Sequence, residues 1–140
     1  PVEAPARDLL FLGSIVLVSG LLCSAPYGIA ITQKKSENVI RAWKLAHGAL
    51  SLGATTMIAI APILSTLQIS NNLQWLLTGV FVVSGYSFCF ALTLEPFTDG
   101  RGLSWQGSSL NKTVFIGNAL GAASSLVGSI ILVWSSYLSL

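Results

Sequence analysis

The chain has 140 residues, of which 53% are hydrophobic and 9% are charged. A soluble domain carries about 25% charged residues because its surface must face water, so this composition excludes an ordinary soluble fold. The net charge of +2 is too small and too dispersed to predict a nucleic-acid-binding surface. Both cysteines fall inside apolar segments, where we expect small buried side chains and no disulfide framework.

Charged residues are confined to a few short segments. Residues 9–33, 45–94 and 113–140 contain no lysine, arginine, aspartate or glutamate. Because about 20 apolar residues cross a bilayer as a helix, the middle stretch has room for two spans and each of the others for one. The sequence therefore predicts an all-α membrane protein, an antiparallel bundle of four transmembrane helices forming one domain over residues 1–140. The predicted spans are residues 8–32, 40–67, 73–94 and 113–137.

The apolar stretch of the first span is longer than that of a signal peptide, and no small-residue cleavage site follows it. We therefore expect this span to remain in the membrane. Pro26 predicts a kink near the end of this span, and Pro62 lies late in the second. The connection over residues 68–72 is short, so spans two and three are predicted to be antiparallel neighbours. Span four carries Gly117 and Gly121, a spacing that lets helices approach closely in lipid.

The distribution of lysine and arginine predicts the orientation of the spans. Six of them lie in or near the loops after spans one and three, whereas Arg7 alone lies at the other side. The positive-inside rule then places loops 33–39 and 95–112 in the cytoplasm and both termini outside. The glycosylation sequon that starts at Asn111 would lie on the wrong side of the membrane, and we interpret it as a chance match.

Few side chains inside the spans can take part in chemistry, and a histidine or strong hydrogen-bonding group there is a functional candidate. His47 is the only histidine, and it shares one face of span two with Ser51. Small residues beside it, Gly48 among them, leave room for a large flat ligand such as a haem. From residue types alone, His47 is either such a ligand or a structural side chain bonded to a neighbouring carbonyl. Tyr86 in span three and Asn118 in span four are further polar groups.

Four short motifs stand at fixed distances along the chain. They are Arg-Ala-Trp-Lys-Leu-Ala-His-Gly at residues 41–48, Met-Ile-Ala-Ile-Ala at 57–61, Ser-Gly-Tyr-Ser at 84–87 and Arg-Gly-Leu-Ser at 101–104. Together they resemble the styrene oxide isomerase family, and the spacing between them needs no gap. The hydroxylaminobenzene mutases, also small four-span proteins, belong to the same broad group.

The resemblance implies a homotrimer that holds haem b near its subunit interfaces. His47 is then the axial ligand of the iron, and Ser51 and Gly48 are predicted to lie beside the cofactor because of their positions next to His47 on span two. The implied activity is an isomerisation in which ferric haem acts as a Lewis acid on a small apolar aryl epoxide, and a hydride shift gives the carbonyl product. A related rearrangement of an N-hydroxyarylamine is the other reaction it implies. The apolar bundle keeps out water, which would trap the cation as a diol.

Two positions depart from the family pattern. The family has an asparagine where this chain has Gly53 and a tyrosine where it has Leu92. Both family side chains orient the substrate, so Tyr86 and Asn118 become the candidate catalytic groups in their place. The departures leave two alternatives open: a haem- or ligand-binding membrane protein without catalysis, and a structural or assembly subunit. The expected partners are the lipid bilayer, a small hydrophobic substrate and further copies of the chain.

Overall fold

The protein, described over residues 3–140 by a computed structural model, is built from helices with no strand in that range. The helices are α1 (Ala4–Leu22), α2 (Ser24–Thr32), α3 (Glu37–Leu64), α4 (Asn71–Leu94) and α5 (Ser109–Leu138), and a 3₁₀ turn (Glu95–Phe97) follows α4. Four helical segments are long and apolar enough to cross a membrane: α1 with α2, α3, α4 with its turn, and α5. The predicted all-α membrane fold with four spans is confirmed. The predicted domain also includes residues 1 and 2, which lie outside the described residues.

The first span is interrupted at Cys23, between α1 and α2. Pro26 has no N–H to donate to the carbonyl of Leu22, and its ring crowds that carbonyl. The regular helix accordingly ends at Leu22, and Ser24 Oγ donates to the carbonyl oxygen of Leu21 at 2.6 Å. Pro62 lies inside α3 without a break at that point, and α3 ends two residues later.

All four spans begin earlier in the chain than the hydrophobic pattern predicts, and α3, α4 and α5 each begin directly after a serine. Ser70 Oγ accepts a hydrogen bond from the backbone N–H of Leu73, and Ser108 Oγ accepts one from that of Asn111. Such caps satisfy N–H groups that the first turn of a helix leaves without a partner. Helices α4 and α5 therefore start at their capping serines, and α3 starts directly after Ser36. Hydropathy detects the membrane-buried length of a helix and misses the polar turn before it.

Helices α1 and α3 approach each other closely at two glycines of α1. A Cβ at Gly13 would lie 2.9 Å from Met57 Cβ, and a Cβ at Gly20 would lie 2.8 Å from the backbone nitrogen of Ser51. These contacts pair the start of α1 with the later part of α3, so the two helices are antiparallel. Only residues without a side chain allow this spacing.

Helix α4 is the centre of the bundle, because α1, α3 and α5 all pack against it. Thr78 Oγ1 donates to the carbonyl oxygen of Pro5 at 3.1 Å, which fixes α4 alongside α1 in the same direction. A Cβ at Gly117 would lie 2.9 Å from Ala91 Cβ, and one at Gly121 would lie 2.9 Å from the ring of Phe88, so α5 runs antiparallel to α4. Consecutive spans therefore alternate in direction. Within the described chain, α5 packs on α4 and has no extensive contact with α3.

The two loops that carry most of the cations lie at the same end of the bundle. Ser36 and Asn38 near the first loop and Asp99 and Arg101 in the long loop line one small polar cavity of about 190 Å³. Aromatic side chains mark this end, where the Trp43 and Phe97 rings pack edge to face and Lys112 Nζ lies 5.7 Å from the centre of the Trp105 ring. This arrangement agrees with the predicted topology, and the side of the membrane that it faces stays a prediction.

We expect Gly117→Ala to destabilise the bundle, because the new Cβ would collide with Ala91 where the two backbones are closest. Overpacking of this kind costs about 1–3 kcal/mol, so the thermal unfolding temperature in detergent should fall. Gly79→Ala in α4 is the matched control, because no atom lies within 4 Å of its added Cβ. Equal unfolding temperatures for the two variants would contradict the assigned α4–α5 contact.

Candidate functional site

A cavity of about 640 Å³ lies between α3 and α5, over the surface of α4. This volume is within the range of small-molecule sites, about 300–1,000 Å³. Its lining is mostly aliphatic, aromatic or glycine, and the polar side chains are those of Thr56, Ser84, Glu95, Asn118 and Ser125. The cavity exists because α5 packs against α4 and makes no extensive contact with α3. It is an apolar chamber with a few polar groups at defined positions.

Asn118 is the predicted site residue that lines this cavity. Its Nδ2 donates to the carbonyl oxygen of Gly102 at 3.2 Å, which fixes the orientation of the amide because a carbonyl oxygen can only accept. Its Oδ1 is buried and has no hydrogen-bond partner in residues 3–140. A buried acceptor without a partner costs free energy, and this oxygen is shielded from the cavity as well as from the donors of the protein.

The long loop is held over the end of the cavity by Asn111, which is completely buried. Its Oδ1 accepts from the backbone N–H of Gly102 at 2.6 Å, and its Nδ2 donates to the carbonyl oxygens of Ser104 at 3.0 Å and Gln106 at 2.7 Å. An amide engaged in this way is not open to glycosylation, which agrees with interpreting the sequon as a chance match. Sequence reasoning gave Asn111 no role, because its partners are backbone groups that no motif displays.

Gly102 has to be a glycine. Its φ is +60°, in the left-handed region, and a Cβ there would collide with the side chain of Val114. Gly102 and Leu103 both line the cavity, so the motif at residues 101–104 closes the loop end of the chamber. Closing the cavity is a physical role for a motif that the sequence singled out only by its resemblance to a family.

Another hydrogen bond joins the two ends of the long loop. Ser108 Oγ donates to Asp99 Oδ1 at 2.9 Å and also caps α5. The hydrogen bond from Ser108, with smaller contributions from backbone groups, lowers the pKa of Asp99. A carboxyl whose pKa is lower in the folded state stabilises the fold above its unfolded pKa, and this contribution is lost as the pH falls through the lowered value.

Glu95 is an acidic side chain that sequence reasoning did not place in the site. It is 7% exposed, begins the 3₁₀ turn after α4, and lines both the large cavity and the small polar one beneath the loops. No lysine or arginine of the described chain forms an ion pair with it. In the sequence, Glu95 could have been recognised as a site candidate by its position directly after a long uncharged segment and before Pro96. It places a carboxyl group at the loop end of the apolar cavity.

His47 lies half-buried in α3 and faces α1. Its Nδ1 is 2.9 Å from the carbonyl oxygen of Gly20, and because that oxygen only accepts, Nδ1 carries the proton. In the neutral ring the lone pair is then on Nε2, the arrangement that metal-bound histidines show when a carbonyl holds their other nitrogen. The two interpretations of His47 are therefore compatible, since one nitrogen bonds a carbonyl and the other is left as a ligand.

The two residues predicted beside His47 differ in their surroundings. Ser51 Oγ is buried against α1, where a Cβ at Gly20 would lie 3.0 Å from it, and it has no hydrogen-bond partner among the described residues. Gly48 is exposed, and a Cβ added there would meet nothing within 4 Å. The surface without large side chains that the sequence predicts next to His47 is therefore on the Gly48 side of α3. Ser51 instead packs into the contact between α3 and α1.

The structure does not bring His47, Asn118 and Tyr86 together within one chain. His47 does not line the cavity, whereas Leu45 and Ala49 do, and residues two apart in a helix point about 200° apart. Tyr86 is 36% exposed and also lies outside the cavity, with its hydroxyl 3.4 Å from the carbonyl oxygen of Leu12 in α1. Of the three, only Asn118 lies at the cavity, and His47 faces the opposite side of α3.

The family model described as styrene oxide isomerase matches residues 5–137, nearly the whole chain. The chain belongs to the styrene oxide isomerase family. The match confirms the resemblance seen in the four motifs, and it supports an isomerase-type membrane protein. No curated protein sequence matches the chain.

The two positions at which the resemblance predicts departures from the family pattern both fall in the cavity. Gly53 and Leu92 are among its lining residues. A Cβ at Gly53 would meet nothing within 4 Å, so the missing side chain leaves open space that other groups do not fill. The cavity is therefore apolar at these two positions, and its polar side chains are Thr56 on α3, Ser84 on α4, Glu95 after α4, and Asn118 and Ser125 on α5.

We expect Asn111→Ala to loosen the loop over the cavity, because three backbone groups lose their partner. Trypsin should then cut faster after Arg101, which is exposed in this loop, and the masses of the fragments identify the cut. Asn72→Ala, at an exposed position in the first turn of α4, is the control. Unchanged cleavage at Arg101 would show that Asn111 does not order the loop.

Proposed function

We propose that this protein is a membrane-bound, haem-dependent isomerase that opens a small apolar aryl epoxide to a carbonyl compound or rearranges an N-hydroxyarylamine. Membership of the styrene oxide isomerase family supports the reaction type. The observation that carries the proposal is the Nδ1 hydrogen bond of His47 to the Gly20 carbonyl, which leaves Nε2 ready to bind a metal.

The residues around His47 fit a haem better than a metal held by protein ligands alone. No group of three or more histidine, cysteine, aspartate or glutamate side chains that could hold a metal ion lies within residues 3–140. A single axial histidine is what haem requires, because the macrocycle provides the other ligands. The open surface at Gly48 leaves room for such a ring. When bound, haem b would supply a Lewis-acidic iron for the oxygen of the substrate.

The geometry favours a site made by two subunits. His47 and the cavity lie on opposite faces of α3, so a single chain cannot place a ligand on His47 next to Asn118. In a homotrimer, the His47 face of one subunit can cover the cavity of its neighbour. This arrangement accounts for a cavity on one side of α3 and a histidine whose Nε2 has no hydrogen bond on the other. We further propose that the loop end of the bundle faces the cytoplasm.

The side chains of the cavity have separate tasks in the proposed reaction. Phe81, Phe88 and Phe115 give the cavity aromatic walls for an aryl group. The ordered loop at Gly102 closes the end of the chamber and excludes water, which would otherwise intercept a reactive intermediate. Asn118 holds the polar part of the substrate through its amide.

A second candidate function is haem or ligand binding without catalysis. The observation in its favour is that Gly53 and Leu92, which replace the substrate-orienting groups of the family, both line the cavity. A protein that binds haem but converts neither aryl epoxides nor N-hydroxyarylamines would support this function over the first.

The purified protein is expected to be coloured, with a Soret band that is lost in His47→Ala. Asn118→Leu is the control, because it changes the cavity and leaves the His47 ring and its carbonyl partner intact. An optical spectrum of each detergent-purified variant makes the comparison. A folded, colourless unmodified protein that takes up no added haem would refute the proposed cofactor.

Co-expression of two inactive variants tests the two-subunit site. His47→Ala removes the ligand and Asn118→Leu removes the cavity amide, so each alone should lose most turnover. Mixed oligomers contain interfaces that combine an intact His47 with an intact cavity, and turnover should partly return. A doubly substituted chain mixed with the unmodified chain controls for dilution. Failure of the mixed single variants to recover any activity would place both groups in one subunit.

A further inference from the structure

The three hydroxyl groups that line the large cavity differ in whether the protein already binds their protons. Thr56 Oγ1 donates to the carbonyl oxygen of Leu52 at 3.0 Å, and Ser84 Oγ donates to that of Gly121 at 2.8 Å. The third hydroxyl, on Ser125, donates to no group within residues 3–140. Because a hydroxyl has one proton to donate, Ser125 is the one of these three that can still donate to a ligand.

The proton of Ser125 is free because the carbonyl oxygen that it would normally use is already occupied. Serine and threonine hydroxyls inside a helix often donate to the carbonyl four residues earlier, as Thr113 and Ser129 do in α5. For Ser125 this carbonyl belongs to Gly121. Its oxygen accepts the backbone N–H of Ser125 within the helix and the hydroxyl of Ser84 from α4, so both of its lone pairs are used.

A ligand in the cavity can reach the hydroxyl of Ser125. Asn118 Oδ1 and Ser135 Oγ also lack a hydrogen-bond partner in the described chain, but both atoms are fully shielded. Ser125 is half-buried and lines the cavity, and its Oγ is not among the shielded oxygens. The cavity wall therefore contains an accessible hydrogen-bond donor on α5.

Ser125 and Asn118 lie at the two ends of one stretch of this wall. They are seven residues apart in α5, which separates them by about 10 Å along the helix axis and keeps them on nearly the same face. Gly121 lies midway between them, and a Cβ there would lie 2.9 Å from the ring of Phe88, which also lines the cavity. An aryl ring beside Phe88 then has Asn118 on the side of the loops and Ser125 on the opposite side.

We propose that Ser125 binds an oxygen substituent on the aryl ring of the substrate, at the position opposite to the group that reacts. The inference rests on the proposed function, which places the reacting polar group at Asn118, and it narrows the substrates to aryl compounds that carry an ether or carbonyl oxygen at this position. With hydrogen bonds of about 3 Å at both ends, one ring with opposite substituents can span the two residues. An alkyl substituent of the same size leaves the Ser125 proton without a partner.

Ketone analogues of the rearranged product test this proposal without turnover. 4-Methoxyphenylacetone and 2-methoxyphenylacetone have the same composition, but only the first carries its ether oxygen opposite to the ketone side chain. Equilibrium dialysis against detergent alone measures binding to the purified protein and corrects for partition into micelles. We expect the 4-methoxy compound to bind about three- to ten-fold more tightly, the effect of one additional hydrogen bond. Equal or tighter binding of the 2-methoxy compound overturns the proposal.

Ser125→Ala removes the donor and breaks no side-chain hydrogen bond of the described chain, so the preference for the 4-methoxy compound should fall to about one. 4-Ethylphenylacetone, in which a methylene replaces the ether oxygen, should bind equally to the variant and the unmodified protein. Ser129→Ala is the matched control, because its hydroxyl is bonded to the carbonyl of Ser125 and it does not line the cavity. A preference that survives in Ser125→Ala, or that is lost equally in Ser129→Ala, overturns the assignment of this donor.

These measurements report on the cavity and need neither haem nor turnover. Loss of the expected preference in a protein that shows a Soret band and isomerises aryl epoxides would leave the proposed function in place and remove only the substituent site. The expected preference in a protein that takes up no haem would support the substituent site and refute the proposed cofactor. The two proposals are therefore tested separately.

Discussion

The close approach of helix backbones at glycines is the constraint on which the rest of the structure depends. In lipid, helices gain little from hiding apolar side chains, so contact between backbones has to provide much of the packing. Gly13 and Gly20 bring α1 against α3, and Gly117 and Gly121 bring α5 against α4. The first contact delivers a carbonyl oxygen to His47. The second draws α5 toward α4 and away from α3, and the gap between α3 and α5 becomes the cavity.

Helix α3 thereby separates two surfaces with different chemistry. One face presents His47, whose ring is held by the Gly20 carbonyl, and the other forms a wall of the cavity that contains Asn118. Neither surface alone would be sufficient for the proposed haem-dependent reaction. An oligomer in which these surfaces meet solves the problem with one interface repeated around an axis, because each chain then provides a histidine to one neighbour and a cavity to the other. The proposed function thus gives a physical reason for association that is independent of how much apolar surface the interface buries.

The sequence predicts the spans well because the cost of charge in a membrane confines charged residues to the ends of helices, as at Lys44 and Glu95. It predicts the direction of neighbouring spans from short loops, and His47 as a special residue from its rarity. It does not predict that Asn111 orders the long loop, since that role depends on backbone carbonyls brought close by tertiary folding. Nor does it show that Tyr86 faces α1 while Asn118 faces the cavity, because both lie in helices that are apolar all round and have no marked inner face.

Gly53 and Leu92 show how the cavity combines a wide apolar wall with polar groups at one end. Both line the cavity, and a Cβ at Gly53 would meet nothing within 4 Å, so α3 and α4 add no polar side chain at these two positions. The polar side chains at the loop end come instead from Glu95 after α4 and Asn118 on α5. A ligand that fills this cavity is therefore expected to place its apolar body against the helices and its polar group toward the loops, because a buried polar atom without a partner costs free energy.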